Sequence, residues 1–170
     1  MRPGLACLAL LWACASAPPP APVAPAQERP PRGLPVLLGP LERSALERRL
    51  PDWSRMRAEA RPDPDDARAL ATVPPGAEVV VYLGTWCGDS RREVSRLWSA
   101  LDAAGPVPFA IRWIGVDRSK TEPAGMLRGV GLERVPTFVV RRSGREVGRV
   151  VESAPAGIEH ELLALLRTVH

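Results

Sequence analysis

Nine of the chain's twenty prolines fall between Pro18 and Pro40, and this clustering divides the sequence before any other feature does. Proline fixes φ at about −65°, carries no amide hydrogen and pushes the preceding residue out of helical space. A stretch holding Pro18-Pro19-Pro20, Pro22, Pro25, Pro30-Pro31 and Pro35 among alanines can sustain neither a helix nor a sheet ladder. It favours extended polyproline II, rising about 3.1 Å per residue. Residues 18–40 are therefore expected to be a linker between a front segment, residues 1–17, and a foldable segment, residues 41–170.

The front segment begins Met1-Arg2 and continues through the apolar run Gly4-Leu5-Ala6-Cys7-Leu8-Ala9-Leu10-Leu11-Trp12-Ala13, with small residues behind it. That is the pattern of an export signal, and it falls short of the ~18–20 apolar residues of a membrane-spanning helix. Leu11-Trp12-Ala13-Cys14 resembles a bacterial lipobox, which implies that Cys14 receives lipid and becomes the new N-terminus. Ordinary cleavage after Ala15 is the alternative. The expectation is an exported protein of the periplasm or cell envelope, lipid-anchored to a membrane at Cys14. The proline-rich linker then acts as a tether, or else as a ligand for a proline-recognising module.

Residues 41–170 are long enough for one core and too short for two ordinary domains. The chain is 45% apolar and 25% charged, with a net charge of +4 and an isoelectric point of about 9.6. A basic balance raises nucleic acid as a partner. However, 22 of the 23 basic residues are arginines spread from Arg2 to Arg167 among 19 acids, and no nucleic-acid-binding motif accompanies them. A solvated mixed-charge surface explains them better. Three cysteines are too few for a disulfide-stapled miniprotein. No Cys or His cluster has metal-ligand spacing, so neither a metal nor another cofactor is expected.

Within the foldable segment, Leu41, Ala45, Leu46 and Leu50 have helical spacing, and a second short helix is predicted over residues 65–72, with Asp63 or Asp65 near its start. Val79-Val80-Val81-Tyr82-Leu83 is a continuous β-branched and apolar run, the signature of a strand buried on both faces. After Trp86-Cys87-Gly88 a helix is predicted from Val94, Leu97, Trp98 and Leu101, and Gly105-Pro106 ends it. A strand over 109–116, a short helix over 122–128, and strands over 137–141 and 146–151 joined at Ser143-Gly144 follow. A last helix carries Ile158, Leu162, Leu165, Leu166 and Val169 on one stripe. The order β-α-β-α-β-β-α predicts an α/β fold: a mixed sheet with helices on both faces, preceded by an N-terminal helical extension.

That order, with Trp86-Cys87-Gly88-Asp89-Ser90 at the first strand-to-helix turn and Val135-Pro136-Thr137-Phe138 before the hairpin, resembles the thioredoxin family over residues 78–170. The resemblance implies the thioredoxin fold, a reactive thiol at Cys87, and a cis-proline at Pro136 facing it. With that peptide in cis, the backbone of Val135 would pair with an extended substrate segment, and Trp86 would flank the site.

Position supplies an independent reason for reactivity at Cys87. A thiol at a helix N-terminus faces unpaired amides and the positive end of the dipole, which favour the thiolate, the attacking species in disulfide exchange. Asp89 opposes this and Arg91 and Arg92 offset it. Two departures from the family limit the chemistry. The residue three positions after Cys87 is Ser90, which could hydrogen-bond the sulfur but cannot resolve a mixed disulfide. Val81 stands where thioredoxins carry a buried acid. The expected activity is thiol–disulfide exchange through Cys87 alone, of monothiol reductase or isomerase type, with protein or low-molecular-weight thiols and disulfides as partners. The competing expectation is a redox-inactive module that docks extended peptides beside Pro136. Asp117, in Asp117-Arg118-Ser119-Lys120, lacks the glycines of a phosphate loop around it and is expected to cap a turn.

Overall fold

The computed structural model describes residues 35–168. Residues 1–34, with Cys7, Cys14 and most of the proline-rich linker, lie outside the described residues, as do Val169 and His170.

The centre of the molecule is the strand β2 (Ala77–Leu83). Val79, Val81 and Leu83 enter the larger core, and Val80 and Tyr82 enter a second, smaller one on the opposite face. This two-sided burial is why the run carries no alternation of polar residues. β3 (Ala110–Gly115) runs parallel to β2, and β4 (Thr137–Arg142) runs antiparallel to it on the other side. β5 (Arg145–Val151) closes a hairpin with β4 through Ser143-Gly144, whose φ angles of 50° and 77° are those of a type I′ turn.

Helices α1 (Arg43–Arg49), α2 (Pro51–Glu59) and α3 (Pro64–Ala69) form the N-terminal extension. Asp63 caps α3, accepting from the amides of Asp65 at 2.9 Å and Asp66 at 3.0 Å. α4 (Gly88–Ala104) packs on α2 and α3 and, with α6 (Ile158–Leu166), covers the larger core. Trp98 of α4 stands between Trp53 of α2 and Trp113 of β3, with ring centroids 5.8 Å away on each side. The extension is therefore bound into the main core by a row of three indoles, one pair tilted at 44° and the other edge-on at 78°. Glu159, fully buried at the start of α6, receives the Arg96 guanidinium at 2.6 Å and the amide of Asp63 at 2.9 Å, joining α4, α6 and the extension. Among the described residues, the opposite face of the sheet carries only the four-residue helix α5 (Ala124–Leu127).

Two elements depart from the expectation. Residues 39–41 lie partly in the presumed linker yet form the edge strand β1 (Gly39–Leu41), antiparallel to β3, so the sheet has five strands in the order β1-β3-β2-β4-β5. The segment seats here because Gly115 has no side chain: a Cβ there would lie 2.2 Å from the carbonyl oxygen of Leu37. α2 was not expected either. Pro51 opens it at a position where its missing amide costs nothing, and Trp53 is its one fully buried residue. Beyond these, the strand-and-helix order from β2 onward is the expected one, and it is a thioredoxin fold.

Candidate functional site

The C-terminal end of β2 delivers the chain into a tight turn, with the amide of Cys87 bonded to the carbonyl of Gly84 at 2.9 Å. Cys87 is then the N-cap of α4, in extended conformation, and its side chain makes no capping hydrogen bond. It is half-buried, and it is a free thiol. Its Sγ lies 3.4 Å from the carbonyl oxygen of Val135. The Val135–Pro136 peptide is cis, and the carbonyl of Pro136 accepts the amide of Glu152 at 2.7 Å, which fixes the loop before β4 to the end of β5. The structure thus brings together Trp86, Cys87, Val135 and Pro136, expected from the sequence to form one site.

Ser90 is placed differently. It is fully buried, and its Oγ accepts the amide of Gly84 at 3.1 Å. A hydrogen bond to the Cys87 sulfur is not among those formed by the described residues. The reason is geometric: the first turn of α4 aims Ser90 back at the end of β2, where the amide of Gly84 needs a partner. Ser90 ties strand to helix beneath the thiol. Cys14, the expected lipid acceptor, lies outside the described residues.

Three residues at the site, Gly84, Thr85 and Arg118, were not singled out by the sequence. Gly84 makes room for Trp86: a Cβ at residue 84 would lie 2.7 Å from the indole. Trp86 Nε1 donates to the carbonyl of Val116 at 3.0 Å, which holds the ring in place beside Gly84. Arg118 lies over its outer face, with the guanidinium carbon 5.1 Å from the ring centroid. Such a contact contributes about 0.5–1 kcal/mol at an exposed position. Thr85 is fully buried; its hydroxyl accepts the amide of Leu37 at 3.2 Å and donates to the carbonyl of Pro35. The first described residues, at the end of the proline-rich stretch, are thereby held against the turn that precedes Cys87. Trp86 was expected from its place before Cys87. The others follow from how close separate segments come.

Charge around the thiol is largely paired. Asp89 is bonded to Arg92 at 2.8 Å. Asp117 caps its own turn: the Ser119 hydroxyl, then the amides of Glu122 and Thr121, hold its carboxyl well below the usual carboxylate range. Arg134 is paired with Glu152.

No protein-family model matches the chain, and no curated protein matches it. Solved structures similar to it include thioredoxin 2 from Pseudomonas aeruginosa in its reduced form, at 25% identity, covering 63% of this chain and 91% of that one, with a TM-score of 0.40. A mutant thioredoxin from Halobacterium salinarum is 22% identical, covering 56% of this chain and 76% of that one, with a TM-score of 0.40. A protein of unknown function from Pseudomonas aeruginosa is 19% identical over 68% of this chain and 70% of that one, with a TM-score of 0.47. By the order and pairing of its strands and helices, the chain has the thioredoxin fold.

Proposed function

We propose that this protein carries out thiol–disulfide exchange through the single thiol of Cys87, as an exported protein held to a membrane by lipid on Cys14. The observation that carries the reading is the half-buried free thiol at the head of α4, in contact with the backbone of Val135 and flanked by a fixed Trp86. Ser90, one helical turn on, leaves the chain without a resolving thiol at that position.

In the first step the Cys87 thiolate attacks one sulfur of a disulfide R–S–S–R′. A bond forms between Cys87 and one sulfur, the original S–S bond breaks, and the other half leaves as a thiolate that takes up a proton from solvent. A second, external thiol then attacks the mixed disulfide and returns Cys87 to its free form. Electrons pass from that thiol to the substrate, and Cys87 ends unchanged. Such a cycle suits isomerisation or removal of small thiols, where the resolving sulfur belongs to substrate or reductant.

The N-terminal half of the proposal rests on the apolar run before Cys14 and on the proline-rich linker. Capture tests both halves. In an extract of the envelope fraction, the wild-type chain should form mixed disulfides that vanish on reduction and are absent from Cys87→Ser. Retention of the domain on membranes should be lost in Cys14→Ser. Recovery of equal partners with Cys87→Ser, bound without a disulfide, would replace exchange by simple peptide docking.

A further inference from the structure

Resting on the reading of Cys87 as an exchange thiol, we infer that Arg118 sets its substrate class: disulfides and thiols bearing a negative charge close to the reacting sulfur. Trp86 adjoins Cys87 in the chain, and the two pack on the same apolar cluster. The indole cannot move aside, being held by the carbonyl of Val116 at one edge and by the packing over Gly84. Arg118 is therefore a positive charge stationed on a rigid platform at the rim of the site, 5.1 Å from the ring centroid.

Among the described residues the Arg118 side chain has no carboxylate within ion-pair distance. The two carboxylates of its own loop keep their charge but bond amides and hydroxyls and not the guanidinium. Asp117 is turned into the loop by Ser119, Thr121 and Glu122, and Glu122 accepts the amide of Ala124 at 3.0 Å. Asp89 is paired with Arg92, and Glu152 with Arg134. Lys120 adds a second positive charge to the same loop, its ammonium bonded to the carbonyl of Arg118 at 3.2 Å. A carboxylate on a substrate that reaches from the attacked sulfur onto the Trp86 platform would meet this charge. It would be drawn in, and a cationic partner repelled.

The test uses the full chain carrying Cys7→Ser and Cys14→Ser, so that one thiol reacts. Second-order rates of mixed-disulfide formation are measured with 3,3′-dithiodipropionate, a dianion, and with cystamine, a dication. The ratio of the two rates is compared between variants, which cancels the intrinsic reactivity of each reagent. Relative to the parent, Arg118→Ala should lower the anion-to-cation ratio about threefold or more and Arg118→Glu should lower it further, with both effects shrinking as salt is raised. Arg118→Lys should keep the ratio within about twofold. A ratio unchanged in Arg118→Glu overturns the inference while leaving exchange at Cys87 intact. Failure of Cys87 to react with either reagent overturns both.

Discussion

The sulfur of Cys87 lies 3.4 Å from the carbonyl oxygen of Val135, so the head of α4 and the loop before β4 meet at one thiol although 48 residues separate them. Each is held from behind: the helix by Ser90 on the amide of Gly84, the loop by Glu152 on the carbonyl of Pro136. The thiol sits between two supports that do not depend on it.

Ser90→Ala should therefore act on stability and not on reactivity. Removing the hydroxyl leaves the buried amide of Gly84 without its acceptor, at a cost of about 1–3 kcal/mol. Denaturant unfolding should show that loss, while the rate of mixed-disulfide formation at Cys87 stays within a few-fold. Unchanged stability with abolished reactivity would return Ser90 to a direct role on the sulfur.

Ser90→Cys should create an internal dithiol. Residues three apart on one helical turn lie within the Cα separation of about 4.4–6.8 Å that a disulfide spans. The variant, in a background without Cys7 and Cys14, should lose both thiols on mild oxidation and gain insulin-reducing activity that the parent lacks. Two thiols still titratable after oxidation would show that the turn cannot close.

Gly84→Ala should disturb the platform that Trp86 provides. The added methyl would lie 2.7 Å from the indole, and the ring is tied through Nε1 to the carbonyl of Val116. Overpacking of this kind costs about 1–3 kcal/mol. Denaturant unfolding should register it, with a change in tryptophan emission in the folded state. An unaltered midpoint would mean that the ring has room to move.

Acid should loosen the join between the N-terminal extension and the rest of the domain. Burial alone would raise the pKa of Glu159, but the Arg96 guanidinium and the amide of Asp63 outweigh it and hold the carboxyl below its usual value. A depressed folded-state value means that this stabilisation is complete above the unfolded carboxylate range. It is lost as pH falls through that range toward the lower folded value. Removing one partner of a fully buried pair costs about 3–5 kcal/mol, and the cost here is smaller because solvent reaches Arg96, which is 33% exposed. Glu159→Gln should lower stability at neutral pH and flatten its decline in acid, read by unfolding at a series of pH values. A parallel shift of the whole profile would contradict this.

What could be read from the residues, and what could not, divides along a physical line. β2, α4 and the hairpin were legible because each is stabilised by its own pattern: a buried run, a helical stripe, a turn whose residues accept positive φ. β1 was hidden, since Gly39-Pro40-Leu41 has no strand signal of its own and pairs because Gly115 and Thr85, far along the chain, receive it. α2 was hidden for lack of a stripe. The placement of Trp86 and Cys87 at the head of α4, and of Val135 and a cis Pro136 in the loop before β4, was legible from the motifs. The partner of Ser90 was not, because proximity of Gly84 and Cys87 to the same hydroxyl leaves the choice between them to the turn geometry. Nor was Arg118, whose meaning comes only from the ring beneath it.

The rate at which Cys87 exchanges, folded against unfolded, tests the central claim most directly. The full chain with Cys7→Ser and Cys14→Ser is reacted with glutathione disulfide at mildly acidic pH, once native and once in urea, with adduct formation followed by mass. An activated thiol at the head of α4 should react about tenfold or more faster in the folded protein than in the unfolded chain. A folded protein that reacts more slowly than its unfolded form would make Cys87 a merely sheltered cysteine and contradict exchange as the function of this site.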